Sequence, residues 1–214
     1  MHEYAANGAL NDEGGFGAHK EFLSWKIRLH IAQQLANALT YLHTALLRPV
    51  IHRAIRPSSI FLDLNFVPKL CNFSVSITIP PNESHASDNT FILSAYCDPE
   101  YLESGSVSEK SDVFSFGKLL LVFLTGKSAT NIYGKPKYRS LLSNYMGDHV
   151  PNEQPEQVNE IVDLNILKEK GGDGQAQQVK DFFALALACI QEKGEARLDM
   201  IDVAKELMRI DKSI

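Results

Sequence analysis

Residues 51–60 read IHRAIRPSSI, a stretch in which two arginines and a proline separate an apolar start from an apolar end. It lies where the hydrophobic period of the chain changes. On its N-terminal side Ile31, Leu35, Leu39 and Leu42 recur every three or four residues, so the spacing predicts a helix over about 24–46 with Ser24 as N-cap. On its C-terminal side the apolar pieces are short: Ile60-Phe61-Leu62, a turn at Asp63 to Asn65, then Val67 to Cys71. These predict a small β-hairpin, with Pro68 confined to a strand start or edge because it has no N–H to donate.

Further out, Asn7-Gly8 and Gly14-Gly15-Phe16-Gly17 predict a loose start over residues 1–20 with little packed in it. Downstream, Asn72 to Glu100 is a polar segment longer than most structureless connections, and is expected to be a loop held at both ends. Ser108 opens a helix whose apolar residues, Val113, Phe114, Phe116 and Leu119 to Leu124, cover most of its circumference, which predicts burial on nearly every side. Gly126 ends it as a C′ glycine. Further helices are predicted near 138–146, 176–191 and 199–210, with Gly171-Gly172-Asp173-Gly174 as a flexible joint. The sum is a mainly α unit with one small hairpin.

The 214 residues are 44% hydrophobic and 22% charged, proportions of a soluble globular chain. A formal net charge of -5 supplies no basic stripe to neutralise phosphates, so nucleic acid is not an expected partner. Cys71, Cys97 and Cys189 lack the paired spacing of a zinc site and are expected to be reduced, buried thiols. The longest apolar run, Phe182 to Ile190, is far short of the roughly 20 residues a membrane span requires. No basic-then-apolar leader opens the chain and residue 2 is not glycine, so a cytoplasmic protein without direct membrane insertion is expected, any membrane association being made through partners.

Against this background the opening stretch acquires a meaning. His52-Arg53-Ala54-Ile55-Arg56-Pro57-Ser58-Ser59 resembles the protein-kinase catalytic loop H-R-D-x-x-x-x-N at full spacing, with Ala54 in place of the aspartate and Ser59 in place of the asparagine. Eighteen residues after Ala54, Asn72-Phe73-Ser74 stands where such a kinase carries D-F-G. Cys97-Asp98-Pro99-Glu100-Tyr101 resembles the end of a plant-type activation segment. Ser111-Asp112-Val113-Phe114-Ser115-Phe116-Gly117 resembles the start of the large central kinase helix. With Trp25, Tyr41-Leu42-His43, Leu124-Thr125-Gly126 and Arg197, the chain resembles the C-terminal lobe of plant receptor-like or receptor-like cytoplasmic kinases over nearly its whole length. Arg48 to Arg53, Ile60 to Asp63 and Val75 to Pro80 look most like the ZED-related (ZRK) pseudokinase group.

The resemblance implies an activation segment over about 72–100 within a C-lobe over 21–214. It further implies that Met1-His2-Glu3-Tyr4 is hinge-like and that the nucleotide-binding N-lobe is absent from this sequence. It also implies structural roles: His52 stacked on Phe73 in the core, Asp112 anchoring the loop backbone, Glu100 paired with Arg197, and Phe61 on an adenine floor. Arg53 either docks a phosphorylated residue of the segment, with Ser84, Ser87, Thr90 and Ser94 as candidates, or bonds backbone only. Leu93 replaces the threonine that ties the segment to the catalytic aspartate.

Phosphoryl transfer is mostly positioning and charge neutralisation by carboxylates and magnesium. Ala54 has no group to accept a proton, and a missing general base costs about 10²- to 10⁴-fold. Asn72 is neutral where the main magnesium ligand of the family is charged, Ser59 is shorter than asparagine, Ser74 replaces the glycine, and Arg56 replaces a lysine. Gly14-Gly15-Phe16-Gly17 with Lys20 follows no strand and does not read as a phosphate cradle. His85 has no partner at metal-ligand spacing, so no metal site is expected. The sequence is therefore read as a catalytically inactive kinase-like domain without ATP or Mg of its own, acting as an adaptor for other kinases or immune receptors in plant signalling. Two alternatives stay open: a weakly active serine/threonine kinase completed by an N-lobe from a longer transcript, and a truncated product without function.

Overall fold

The computed structural model describes residues 5–16, 21–88, 94–134, 158–169 and 171–213. The predicted helix at 138–146, Lys20, Thr90, Leu93 and the hinge-like Met1 to Tyr4 lie outside them.

Within the described residues the chain is mainly helical with short strands. In order it runs β1 (Gly8–Ala9), α1 (Trp25–Thr44), β2 (Val50–Ile51), β3 (Ile60–Leu62), β4 (Pro68–Leu70), β5 (Ile77–Thr78), β6 (Ala86–Ser87), α2 (Pro99–Ser104), β7 (Ser106–Val107), α3 (Glu109–Thr125), α4 (Ala129–Gly134), α5 (Leu164–Lys168), α6 (Gly172–Cys189) and α7 (Met200–Asp211).

Helix α3 is the axis of the molecule. Every residue from Ser111 to Thr125 is buried, as the all-round apolar pattern predicts. The Ser108 hydroxyl accepts the Lys110 N–H at 3.3 Å, and Gly126 terminates the helix at φ 62°, a left-handed conformation that favours glycine. On one side α3 packs against α6 at Gly117, where a built Cβ would lie 2.6 Å from Cys189 Cβ. Glycine is what lets the two backbones approach.

Helix α1 runs within two residues of its predicted bounds and buries Leu29, Ile31, Ala32, Leu35, Ala36 and Leu39. Ser24 flanks it but makes no side-chain cap. The first-turn amide of Trp25 instead donates to the Glu169 carboxylate at 2.9 and 3.3 Å, a cap supplied by tertiary structure that local sequence does not announce. Trp25 Nε1 donates to Gln178 Oε1 and Gln178 Nε2 to Ile210 O, tying α1, α6 and α7 together. Helix α7 follows its predicted bounds closely and packs its Met200, Val203, Leu207 and Ile210 face largely on α1. Helix α6 starts earlier than its stripe predicts: Gly172 to Gly174 form its first turn, so the expected joint is helical from Gly172 onward.

The predicted hairpin is β3 and β4, antiparallel with Ile60 opposite Leu70 and Leu62 opposite Pro68. Pro68 is both the first residue of its strand and on the sheet edge. A third strand was not foreseen: β1 pairs with β3, Gly8 opposite Leu62 and Ala9 opposite Phe61. Leu10 and Phe16 are buried in the main core, so the expectation of a loose start fails for residues 5–16. Two-residue strands whose partner lies some fifty residues away leave no periodic signal.

The segment after Asn72 is likewise held at more than its ends. Strand β5 pairs with β2, Ile51 opposite Ile77, and β6 pairs with β7, Ala86 opposite Val107. Ile51, Ile79, Tyr101 and Val107 form a small second apolar cluster beneath it.

Candidate functional site

Strand β2 delivers the chain into the turn that holds residues 52–59. Asp112, fully buried in the first turn of α3, fixes that turn from below: its carboxylate accepts the backbone N–H of His52 at 2.7 Å and of Arg53 at 2.8 Å. His43 Nε2 lies 3.0 Å from the same carboxylate. A buried charge so satisfied is a strong positioner, because leaving any of these groups unpaired in a low-dielectric interior is costly. Asp112 thus anchors the loop backbone as expected.

His52 is fully buried, and its neighbours assign the tautomer. Nε2 lies 2.9 Å from the Cys71 carbonyl, to which it donates, while Nδ1 accepts the Ala54 N–H at 3.3 Å. Burial pushes the imidazole below its ordinary value, opposed by the Asp112 charge and the Cys71 bond. A proton shuttle facing substrate is thereby excluded for this ring. Phe73 meets it edge to face, ring centroids 4.6 Å apart. The stack on His52 is present, but Phe73 is 43% exposed, in a 3₁₀ turn with no buried residue, so it is not a core side chain.

Arg53 adopts φ 67° and Asn72 φ 67°, left-handed conformations sparsely populated outside glycine. The guanidinium of Arg53 is engaged on several sides. Nη1 donates to Val75 O at 3.1 Å and pairs with the Asp88 carboxylate at 2.5 Å; Nη2 donates to the Tyr101 hydroxyl at 2.9 Å. The backbone bond of the modest reading is present. Among the described residues of the segment, an aspartate, Asp88, pairs with Arg53. Ser84 and Ser87 are exposed, with Ser84 Oγ 3.1 Å from His85 Nδ1, and Ser94 is half-buried.

Between these pieces lies a cavity of about 270 Å³, with Arg53, Ala54, Arg56, Asn72, Ser74 and Ser94 in its walls. Among the described residues no aspartate or glutamate lines it. Ala54 presents a methyl group at the wall, and Arg56 is exposed. Asn72 Oδ1 accepts the Ser74 hydroxyl at 2.9 Å. Ser59 is not among the residues that line the cavity: it is buried, and its hydroxyl has no hydrogen-bond partner among the described residues. Such a group costs roughly 1–3 kcal/mol. Magnesium takes oxygen ligands in near-octahedral order, usually with one or two carboxylates. A neutral amide already engaged by Ser74, an enclosed hydroxyl and a methyl do not make that set. Phe61 is half-buried in the middle of β3, opposite Ala9 and Lys69.

The late arginine is where the reading of the sequence needs its clearest correction. Arg197 is buried, but its partner is Asp98, bidentate at 2.8 and 2.8 Å. Glu100 stands 4.0 Å away with its side chain half-exposed, accepting the Gly194 N–H instead. The reason is local. Asp98 is the N-cap of α2, its Oδ1 accepting the Glu100 N–H at 3.0 Å, which turns it inward beneath Pro99 at the first helical position. The Asp-Pro pair before a helix was the available signal.

One further group escaped the sequence reading. Lys118, in the apolar heart of α3, donates to Ala95 O at 2.9 Å and lies 4.9 Å over the Phe114 ring; burial pulls it down to about 8, with Cys97 and Asp98 opposing. A lysine inside an unbroken apolar helix was the clue. Of the cysteines only Cys189 is buried, its thiol pushed up to about 12 by burial, while Cys71 and Cys97 are half-buried, contrary to expectation. Among the described residues no three His, Cys, Asp or Glu side chains cluster as a metal site, and no helix is long and apolar enough to cross a membrane.

The comparisons with known proteins agree with this architecture. The chain is 38% identical to the Arabidopsis thaliana non-functional pseudokinase ZED1, over 98% of this chain and 63% of that protein. It is 38% identical to the serine/threonine-protein kinase ZRK1, over 99% and 60%, and 37% identical to the non-functional pseudokinase ZRK2, over 98% and 58%, both from the same plant. It therefore spans about 60% of the length of these relatives. A family model described as protein tyrosine and serine/threonine kinase matches residues 1–207, and the chain belongs to that family.

Proposed function

We propose that this chain is a catalytically inactive protein kinase-like domain that binds other proteins, as an adaptor between kinases and immune receptors in plant signalling, without ATP or magnesium of its own. The observation that carries this reading is a contrast: Asp112 still organises the loop backbone, while among the described residues the cavity above it has no carboxylate in its walls. The scaffold survives the loss of the groups that would steer metal and proton. Two similar plant proteins named as non-functional pseudokinases support the inactive part of the reading. Arg53 ties the described part of the segment to the loop through Asp88.

The reading is tested by incubation with magnesium and γ-labelled ATP. The chain is expected to transfer no label to itself or to a generic protein substrate. Label transfer that is abolished when Asn72 or Ser59 is replaced by alanine would overturn it. One relative named as a serine/threonine kinase favours the second reading, weak catalysis, and the same assay decides between the two.

A further inference from the structure

A second cavity, of about 170 Å³, shares none of its described lining residues with the cleft beside Ala54. Three pieces of chain wall it: the turn over residues 11–15, Glu21 and Phe22 ahead of α1, and Asp163 at the N-cap of α5. Each is held in place. Asn11 Oδ1 accepts the N–H groups of Glu13 at 2.9 Å and Gly15 at 3.1 Å, the Glu21 backbone pairs with Phe16 in both directions, and Asp163 Oδ1 accepts the Asn165 N–H at 2.9 Å. The buried Arg28 guanidinium, also in the wall, donates to Leu23 O and Phe123 O and pairs with Asp163 at 2.6 Å. Asp163 therefore cancels the charge of Arg28, and the described walls keep the negative charge of Glu13 and Glu21.

Three groups in these walls are left over by the fold. Glu21 is exposed, and its carboxylate has no partner among the described residues. Phe22 is 43% exposed, with the neutralised Arg28 guanidinium 4.9 Å from its ring centroid. Asn11 Nδ2 is buried and has no acceptor among the described residues. A carboxylate beside an aromatic ring favours a cation, whereas the amide N–H calls for a carbonyl or similar acceptor. A guanidinium meets the first two together, because its planar fork matches a carboxylate and stacks on an aromatic face, and a peptide carbonyl meets the third. Pockets for drug-sized ligands run from about 300 to 1,000 Å³, so 170 Å³ takes one side chain rather than a whole small molecule. We propose that this cavity is a docking site for an arginine of a partner protein, its guanidinium on Glu21 and Phe22 and a neighbouring peptide carbonyl on Asn11 Nδ2. The inference deepens the protein-binding reading and rests on it for the source of the arginine.

The test titrates the whole chain with N-acetyl-arginine amide and with N-acetyl-citrulline amide, in which an uncharged urea replaces the guanidinium, and reads binding by saturation-transfer difference NMR. The arginine probe binds saturably, and the citrulline probe binds about tenfold more weakly or worse, the loss expected for one charge-assisted contact. Glu21→Gln weakens binding of the arginine probe by a similar factor and leaves the melting temperature unchanged, because that side chain is exposed. Absence of saturable binding, equal binding of the two probes, or arginine binding that survives Glu21→Gln overturns the proposal. None of these outcomes touches the cleft beside Ala54, so the labelling test of catalytic inactivity stands or falls separately.

Discussion

Asp98 and Glu100 sit two residues apart in one short helix and have opposite fates. Asp98 is buried against Arg197 with two 2.8 Å contacts, whereas Glu100 keeps half its side chain in solvent. Removing one partner of a buried pair strands the other charge and costs about 3–5 kcal/mol, while an exposed pair is worth about 0–1 kcal/mol. Asp98→Asn is therefore expected to lower the unfolding free energy by several kcal/mol in urea titration, and Glu100→Gln by under about 1 kcal/mol. The reverse order would return the buried role to Glu100. At this scale the sequence was legible where spacing alone mattered: His52, Asp112 and Arg197 all fall where the resemblance puts structural side chains. It was not legible where two acids compete for one arginine, because helix capping and the proline ring decide which carboxylate turns inward. Nor did composition reveal that Asp88 would meet Arg53, since that contact depends on β6 pairing with β7.

At the scale of elements, the helices were readable because burial on one face repeats every three to four residues, and α1, α3 and α7 begin and end close to where that rhythm does. The N-terminal strand, the Glu169 cap on α1 and the early start of α6 were hidden, each being made by a contact with a distant part of the chain. The α3 to α6 junction gives a sharp prediction. Alanine is a better helix former than glycine by about 1 kcal/mol, so Gly117→Ala in an isolated helix would stabilise. Here its Cβ would fall 2.6 Å from Cys189 Cβ and 2.7 Å from Ile190 Cγ2. Overpacking of this kind costs about 1–3 kcal/mol. The clash wins, and Gly117→Ala is expected to lower the melting temperature. A raised melting temperature would mean that α3 and α6 separate freely.

For the molecule as a whole, the buried polar layer under residues 52–59 ties stability to pH. The folded state holds His52 below its ordinary value by burial, so between the unfolded value of about 6.5 and the lower folded one the unfolded chain binds more protons. Stability is present above that window and is lost as pH falls through it. Urea midpoints should decline from pH 7 to pH 5, and His52→Asn should flatten the part of the slope that this imidazole contributes. An unchanged slope would show that His52 titrates normally. The same layer underlies the proposed function: Asp112 keeps the loop shaped, and among the described residues no carboxylate lines the cleft it supports. The most direct measurement is thermal unfolding with ATP, with and without magnesium. A ligand at 100 times its dissociation constant stabilises by about 2.7 kcal/mol, which in a domain of this size raises the melting temperature by roughly 5–11 °C. The account predicts the same melting temperature in Mg-ATP as in ATP with EDTA; a rise of several degrees that requires magnesium would contradict it.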